Sequence, residues 1–131
     1  IIQLQEEGFA LPEAIFASCG GGGLLSGTYL AKELASPKSK VIGCEPANAN
    51  DAATSVKQGK IFRFTESPTT IADGLKTLGV SERTFNYLQK LDGFLEITEH
   101  DIYYWTAWLF QLIKITAEPS AAISMAGAYQ W

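Results

Sequence analysis

Apolar residues along this chain fall in short runs whose period shifts repeatedly between strand-like and helix-like. Ala14 to Ser18, Val41 to Glu45 and Phe94 to Ile97 are nearly unbroken apolar stretches, the pattern of parallel strands covered on both faces. Between the first two, Leu24 to Leu34 places Leu24, Tyr29, Leu30 and Leu34 at helical intervals before Ser36-Pro37 ends the segment. Strand, helix and strand in that order predict a parallel pair with a right-handed crossover. A short helix follows from Asp51 to Gln58, with Asn48 and Asn50 as candidate N-caps and Gly59 as its stop. Lys60 to Thr70 reads as irregular or edge-like, and Thr70 to Gly74 as a loop. Ser81 to Leu91 reads as a helix with Phe85 and Leu88 turned inward.

Thr98, with Asp101 three residues later, has the form of a capping box opening a long helix. That helix carries Ile102, Trp105, Leu109, Leu112 and Ile113 on one stripe, with Trp108, Phe110 and Ile115 outside it. Apolar surface nearly all round predicts burial between layers or against another subunit. Glu118-Pro119-Ser120 then breaks the chain before a final helix of small residues. The start, Ile1 to Glu7, looks like the last turns of a helix capped at Gly8. With no initiator Met and an end at Trp131 inside a helix, the chain reads as a fragment of a longer protein. The expected architecture is α/β: a three-layer open parallel sheet with helices on both faces.

One stretch interrupts this pattern. Cys19 is followed by Gly20, Gly21, Gly22 and Gly23, and then by the helix-compatible Leu24-Leu25. Four glycines cost conformational entropy and pack nothing, so they suit a place where bare backbone approaches a ligand closely. Converging N–H groups at the positive end of a helix form an anion site, and a phosphate is the natural occupant. Flexible linkers alternate Gly with polar residues, whereas Ile15, Phe16, Leu24 and Leu25 are expected to tie this loop into a core. The loop lacks the Lys-Ser/Thr of a P-loop and the G-x-G-x-x-G spacing of a dinucleotide fold.

Composition narrows the classes. A chain of 131 residues, 47% hydrophobic and 18% charged, is one ordinary core-forming domain rather than a disordered segment. A net charge of −4 with no basic run argues against nucleic acid or an anionic membrane as partner. Cys19, Cys44 and the single His100 are too few for structural zinc, and the cysteines read as buried reduced thiols of a cytoplasmic protein, which adjacent parallel strands could bring near one another. No signal peptide and no membrane-length apolar run is visible.

The tetraglycine run resembles the phosphate loop of the pyridoxal-phosphate enzymes of the serine/threonine dehydratase and serine racemase group, with the tryptophan-synthase-β-like fold. Four further stretches resemble that group in the same order. They are Val41 to Pro46, Thr69-Thr70-Ile71-Ala72-Asp73-Gly74-Leu75, Thr98-Glu99-His100-Asp101-Ile102, and Ala117-Glu118-Pro119-Ser120-Ala121-Ala122. The resemblance spans essentially the whole chain and implies part of that fold's large domain. It implies that Gly20 to Gly23 and the amide of Leu24 hold the cofactor phosphate. Gly74 and Glu118 would stand beside the pyridine ring, with Asp73 either supporting them or serving as a plain turn residue. The apolar residues before Glu118 lead us to expect a partly buried carboxylate. Cys19 stands where the group usually has an aliphatic residue, and Ala121 where Gly is common.

The same resemblance implies a divalent cation, Mg²⁺, Mn²⁺ or Ca²⁺, held by Glu45, the carbonyl of Ala49 and Asp51. An oxygen-rich set of this kind is what hard cations take, although helix capping by Asn48 to Asp51 is the competing account of the loop. None of the chain's lysines lies in the Ser-Phe-Lys context that the group uses to attach its cofactor, so that lysine is expected upstream. The small domain that recognises substrate is expected outside these residues as well, and the piece alone is expected to be inactive. The implied parent is a homo-oligomeric enzyme that deaminates threonine or serine to a 2-oxo acid and ammonia. The same residues suit a serine racemase. A nucleotide-binding α/β module using the loop on another phosphate, or a non-binding half of a sheet domain, are the readings from other classes.

Overall fold

The computed structural model describes residues 1–131. The elements in order are α1 (Ile2–Glu6), β1 (Ala14–Ser18), α2 (Gly23–Ala35), β2 (Lys40–Pro46), α3 (Asp51–Gln58), a 3-10 turn (Asp73–Leu75), α4 (Glu82–Leu88), β3 (Gly93–Ile97), α5 (Glu99–Ile113) and α6 (Pro119–Gln130). The three strands form one parallel sheet in the order β1-β2-β3. Ile15 pairs with Val41 and Cys44 with Leu95, which fixes the register. Every residue of β2 from Val41 to Pro46 is buried, as a central strand covered on both sides must be.

Alternation along β2 sends its side chains into two separate cores. Val41 joins Leu25, Ala52, Val80, Phe85 and Leu88, contributed by α2, α3, α4 and their connections. Cys44 joins Leu75, Ile97, Ile102, Ile123 and Ala126, contributed by the 3-10 turn, β3, α5 and α6. The expected three-layer α/β arrangement, with helices on both faces, is therefore present. Two glycines let the layers close. A Cβ on Gly43 would lie 2.5 Å from the Phe94 ring and 2.8 Å from Leu25, and one on Gly127 would collide with the Cys44 sulfur. The same alternation separates the two thiols. The Cys19 amide donates to the Cys44 carbonyl at 2.9 Å, but the side chains enter opposite cores and both stay free.

Several local expectations are corrected. On α2 the buried face is Leu25, Ser26 and Lys32, while Leu24, Leu30 and Leu34 are exposed. Their helical spacing is real, but it marks the side turned away from the sheet. Along α5 only Ile102 is buried, and Leu112 and Ile113 are exposed where the helix runs past the sheet. Asn50 is the N-cap of α3 without capping it, because its side chain donates to Glu96 at 2.6 Å. Gly59, at φ +69°, does stop α3, and the Thr98 hydroxyl does cap α5 by accepting from the Asp101 amide. No helix is long and apolar enough to cross a membrane.

Candidate functional site

Parallel strands deliver their carboxyl ends to one edge of the sheet, and ligand clefts in open α/β sheets form there. Here β1 ends at Ser18 and the glycine loop carries the chain directly into α2. The loop borders a cleft of about 400 Å³ lined by Ser18, Gly20 to Gly23, Leu24, Gly74, Leu75, Glu118, Ser120 and Ala121. The structure thus brings together every residue expected at the phosphate and the ring, although Leu24 projects its side chain to solvent.

Two of the four glycines are constrained by their surroundings, for different reasons. Gly22 has φ +82°, and a Cβ there would come within 3.0 Å of Leu88 and Thr84. A Cβ on Gly20 would press to 3.2 Å against the Gly74 carbonyl, while Gly21 and Gly23 have open space. Glycine at 20 and 22 lets the loop lie flat on α4 and the 3-10 turn. Helix α2 begins at the cleft with no side-chain cap, and outside the regular elements no backbone bond engages the amides of Gly20 to Leu24. First-turn amides lack intrahelical acceptors, so these donors and the helix dipole suit an anion. A second uncapped helix start, that of α6 behind Glu118, faces the same cleft.

The far wall is built from two chain segments. The Gly74 amide donates to the Ser120 hydroxyl at 3.0 Å, and a Cβ on Gly74 would stand 3.0 Å from that oxygen and 3.8 Å from Glu118 Oε1. Glu118 is exposed rather than partly buried, because the stretch before it, from Lys114 at φ +58° onward, leaves α5 and runs over the surface. Asp73 does not line the cleft. Its carboxylate accepts from Lys76 at 3.0 Å and is 91% exposed, so it is a turn residue. Sequence reasoning passed over Ser18 and the hydroxyl of Ser120. The second was findable, since a hydroxyl one residue into a helix start is placed to serve a neighbouring loop.

Beside the cleft, Glu45 and Asp51 are completely buried. Glu45 sits at the end of β2 and accepts from the amides of Ala52 at 3.1 Å and Ala53 at 2.8 Å, so it supplies the cap of α3 that Asn50 does not. Burial lifts its pKa to about 8, opposed by those amides and reinforced by Asp51. Burial also lifts Asp51 to about 6, against a hydrogen bond from the Thr77 hydroxyl at 3.2 Å. Asp51 Oδ2 is buried without any partner. No group of three or more His, Cys, Asp or Glu side chains gathers to hold a metal. The donor set here is therefore two carboxylates and at most the Ala49 carbonyl. The unpartnered oxygen fits a cation, whereas both Glu45 oxygens are already engaged. Cys19 and Cys44 are held protonated, foremost by burial and then by the Glu45 charge.

A family model described as pyridoxal-phosphate dependent enzyme matches residues 1–131. Serine racemase of Dictyostelium discoideum is 40% identical over 116 residues, covering 87% of this chain and 36% of its own length. L-threo-3-hydroxyaspartate ammonia-lyase of Saccharomyces cerevisiae is 37% identical over 117 residues, covering 88% and 36%. Among solved structures, a T.th. threonine deaminase superposes with a TM-score of 0.93 at 38% identity, over 98% of this chain and 42% of that one. Maize serine racemase gives 0.88 at 31%, over 97% and 38%. The chain spans 36% of the length of these curated relatives.

Proposed function

The chain belongs to the pyridoxal-phosphate dependent enzyme family, and from that premise we propose that Gly20 to Leu24 hold the cofactor's phosphate within a larger enzyme acting on a β-hydroxy amino acid. The observation that carries this is the uncapped start of α2, whose unengaged amides close one end of a cleft with Gly74 and Glu118 at the other. We read residues 1–131 as part of that enzyme's large domain, with the small domain and the cofactor-attaching lysine contributed by other segments. No lysine lines the cleft.

When bound, pyridoxal phosphate supplies the electron sink that makes loss of an amino acid's α-proton feasible. The residues of this chain do the holding. The loop amides and the α2 dipole neutralise the phosphate, Gly74 offers a flat backbone wall to the ring, and Glu118 sets the charge at that wall's rim. The reaction proposed is deamination of threonine, serine or 3-hydroxyaspartate to a 2-oxo acid and ammonia. Racemisation of serine is the second reading, favoured by a serine racemase relative at 40% identity.

Two finer proposals rest on the same chain. A divalent cation binds between Glu45 and Asp51, supported by the unpartnered Asp51 Oδ2. The protein self-associates, supported by exposed Tyr103, Trp108, Phe110, Leu112 and Ile113 on α5. Buried free thiols suit a reducing, cytoplasmic setting. The deciding experiment supplies the full-length protein with pyridoxal phosphate and then with L-serine, L-threonine or L-threo-3-hydroxyaspartate. Keto-acid release supports the lyase reading and D-serine without keto acid the racemase reading. Absence of any bound cofactor refutes both.

A further inference from the structure

Gly74 reaches the cleft with backbone alone, so its place in the wall is set by whatever holds its amide and carbonyl. The segment 70–77 is tied to the rest of the molecule at three points. Ile71 donates its amide to Glu99 at 2.8 Å, Gly74 donates to Ser120 at 3.0 Å, and the Thr77 hydroxyl donates to Asp51 at 3.2 Å. Glu99 and Asp51 lie outside the cleft lining, whereas Ser120 both ties the segment and lines the cleft. On its other side the Gly74 carbonyl lies against Gly20, 3.2 Å from where a Cβ would stand. Ser120, Gly74 and Gly20 thus form one continuous line from the start of α6 to the first glycine of the loop.

We infer that Ser120 is a positioning residue that fixes the spacing between the anion end of the cleft and its opposite wall. The inference rests on the proposed cofactor reading and goes beyond it, because it assigns recognition of the ring to a hydroxyl that touches the wall rather than the phosphate. Ser120 is 6% exposed, at the second position of a helix whose first residue is Pro119. Its backbone position is therefore well fixed, and its oxygen has no competing acceptor role in the structure. A ligand with a phosphate and a flat ring needs both ends at a set separation. A bare phosphate needs only the loop.

The test uses the full-length protein in its apo form, comparing wild type, Ser120→Ala and Ser120→Thr. Loss of one hydrogen bond that holds a recognition wall weakens binding by about tenfold. Ser120→Ala is expected to bind pyridoxal phosphate about tenfold more weakly and to shift the fluorescence of the bound cofactor. Competition by inorganic phosphate is expected to stay at its wild-type value, while the apo melting temperature falls by a few degrees at most, the cost of the one lost hydrogen bond. Ser120→Thr keeps the hydroxyl and is expected to restore both affinity and emission. Wild-type affinity and emission in Ser120→Ala overturn the inference. So does a loss of pyridoxal phosphate binding that phosphate competition follows in parallel, with an apo melting temperature lowered well beyond the cost of one hydrogen bond, which marks a structural role. Wild-type protein that binds phosphate but no pyridoxal phosphate refutes the cofactor reading itself.

Discussion

Helix α6 is seated on β2 through a contact that a single methyl group would disturb. A Cβ on Gly127 would overlap the Cys44 sulfur yet stand an ordinary 3.5 Å from the Cys44 Cβ. Two opposing effects act in Gly127→Ala. Replacing Gly by Ala inside a helix is worth about 1 kcal/mol in stability, while forcing a methyl into a filled core costs about 1–3 kcal/mol. Because the overlap is with the sulfur of a fully buried side chain, the cost is expected near the upper end, leaving a net loss of about 2 kcal/mol. Cys44→Ala alone leaves a small cavity, comparable to Ile→Val at about 1 kcal/mol. In the double variant the methyl introduced on α6 occupies the volume that the sulfur vacates, so stability returns close to wild type. The coupling between the two sites is then about 2–3 kcal/mol, at the high end for residues in contact. Thermal unfolding of the four proteins measures it. Gly127→Ala is expected to lower the Tm by several degrees and to weaken pyridoxal phosphate binding, since a shift of α6 moves Ser120 and Glu118. Additive losses in the double variant would refute the packing argument.

Gly22→Ala combines a left-handed backbone with overlap onto Leu88 and Thr84, so cofactor affinity should fall by at least about tenfold for a cost of about 2 kcal/mol. Gly27→Ala, on the exposed side of α2 with open space, should raise stability by about 0.5–1 kcal/mol and leave affinity alone. Glu45 has its folded pKa raised, so the folded state holds the extra proton; without metal, its contribution to stability is full below about pH 4.5 and is lost as pH rises through about 8, with Asp51 adding a smaller loss of the same sign toward about pH 6. Melting in a chelator across that range checks this, and Glu45→Gln should flatten the slope. Millimolar Mg²⁺ or Mn²⁺ should raise the Tm of wild type near pH 8, where Glu45 gives up its proton, but not of Asp51→Ala; equal gains in both would leave Asp51 with no ligand role.

What was legible in the sequence, and what was not, follows from the range of each interaction. Strand β2 was readable because burial on both faces writes itself as an apolar run, β1 and β3 because their half-buried runs are still mostly apolar, and α5 and α6 because Thr98 and Pro119 are local start signals. The inward face of α2 was not readable. Leu24, Leu30 and Leu34 carry the stronger apolar spacing, yet the buried face is Leu25, Ser26 and Lys32, with Leu25 filling a notch that Gly43 opens in β2. Only a partner distant in sequence decides between two such faces. The cap of α3 failed for the same reason: Asn48 and Asn50 are good local candidates, but Glu45 arrives from the end of β2 to take the amides, freeing Asn50 for Glu96. At the cleft, a run of four glycines announces itself, but their unequal roles do not. Gly20 and Gly22 are constrained by Gly74, Thr84 and Leu88, all far along the chain, whereas Gly21 and Gly23 meet nothing. The sequence motif therefore marks where bare backbone is needed, and tertiary packing decides that a side chain would be costly at Gly20 and Gly22.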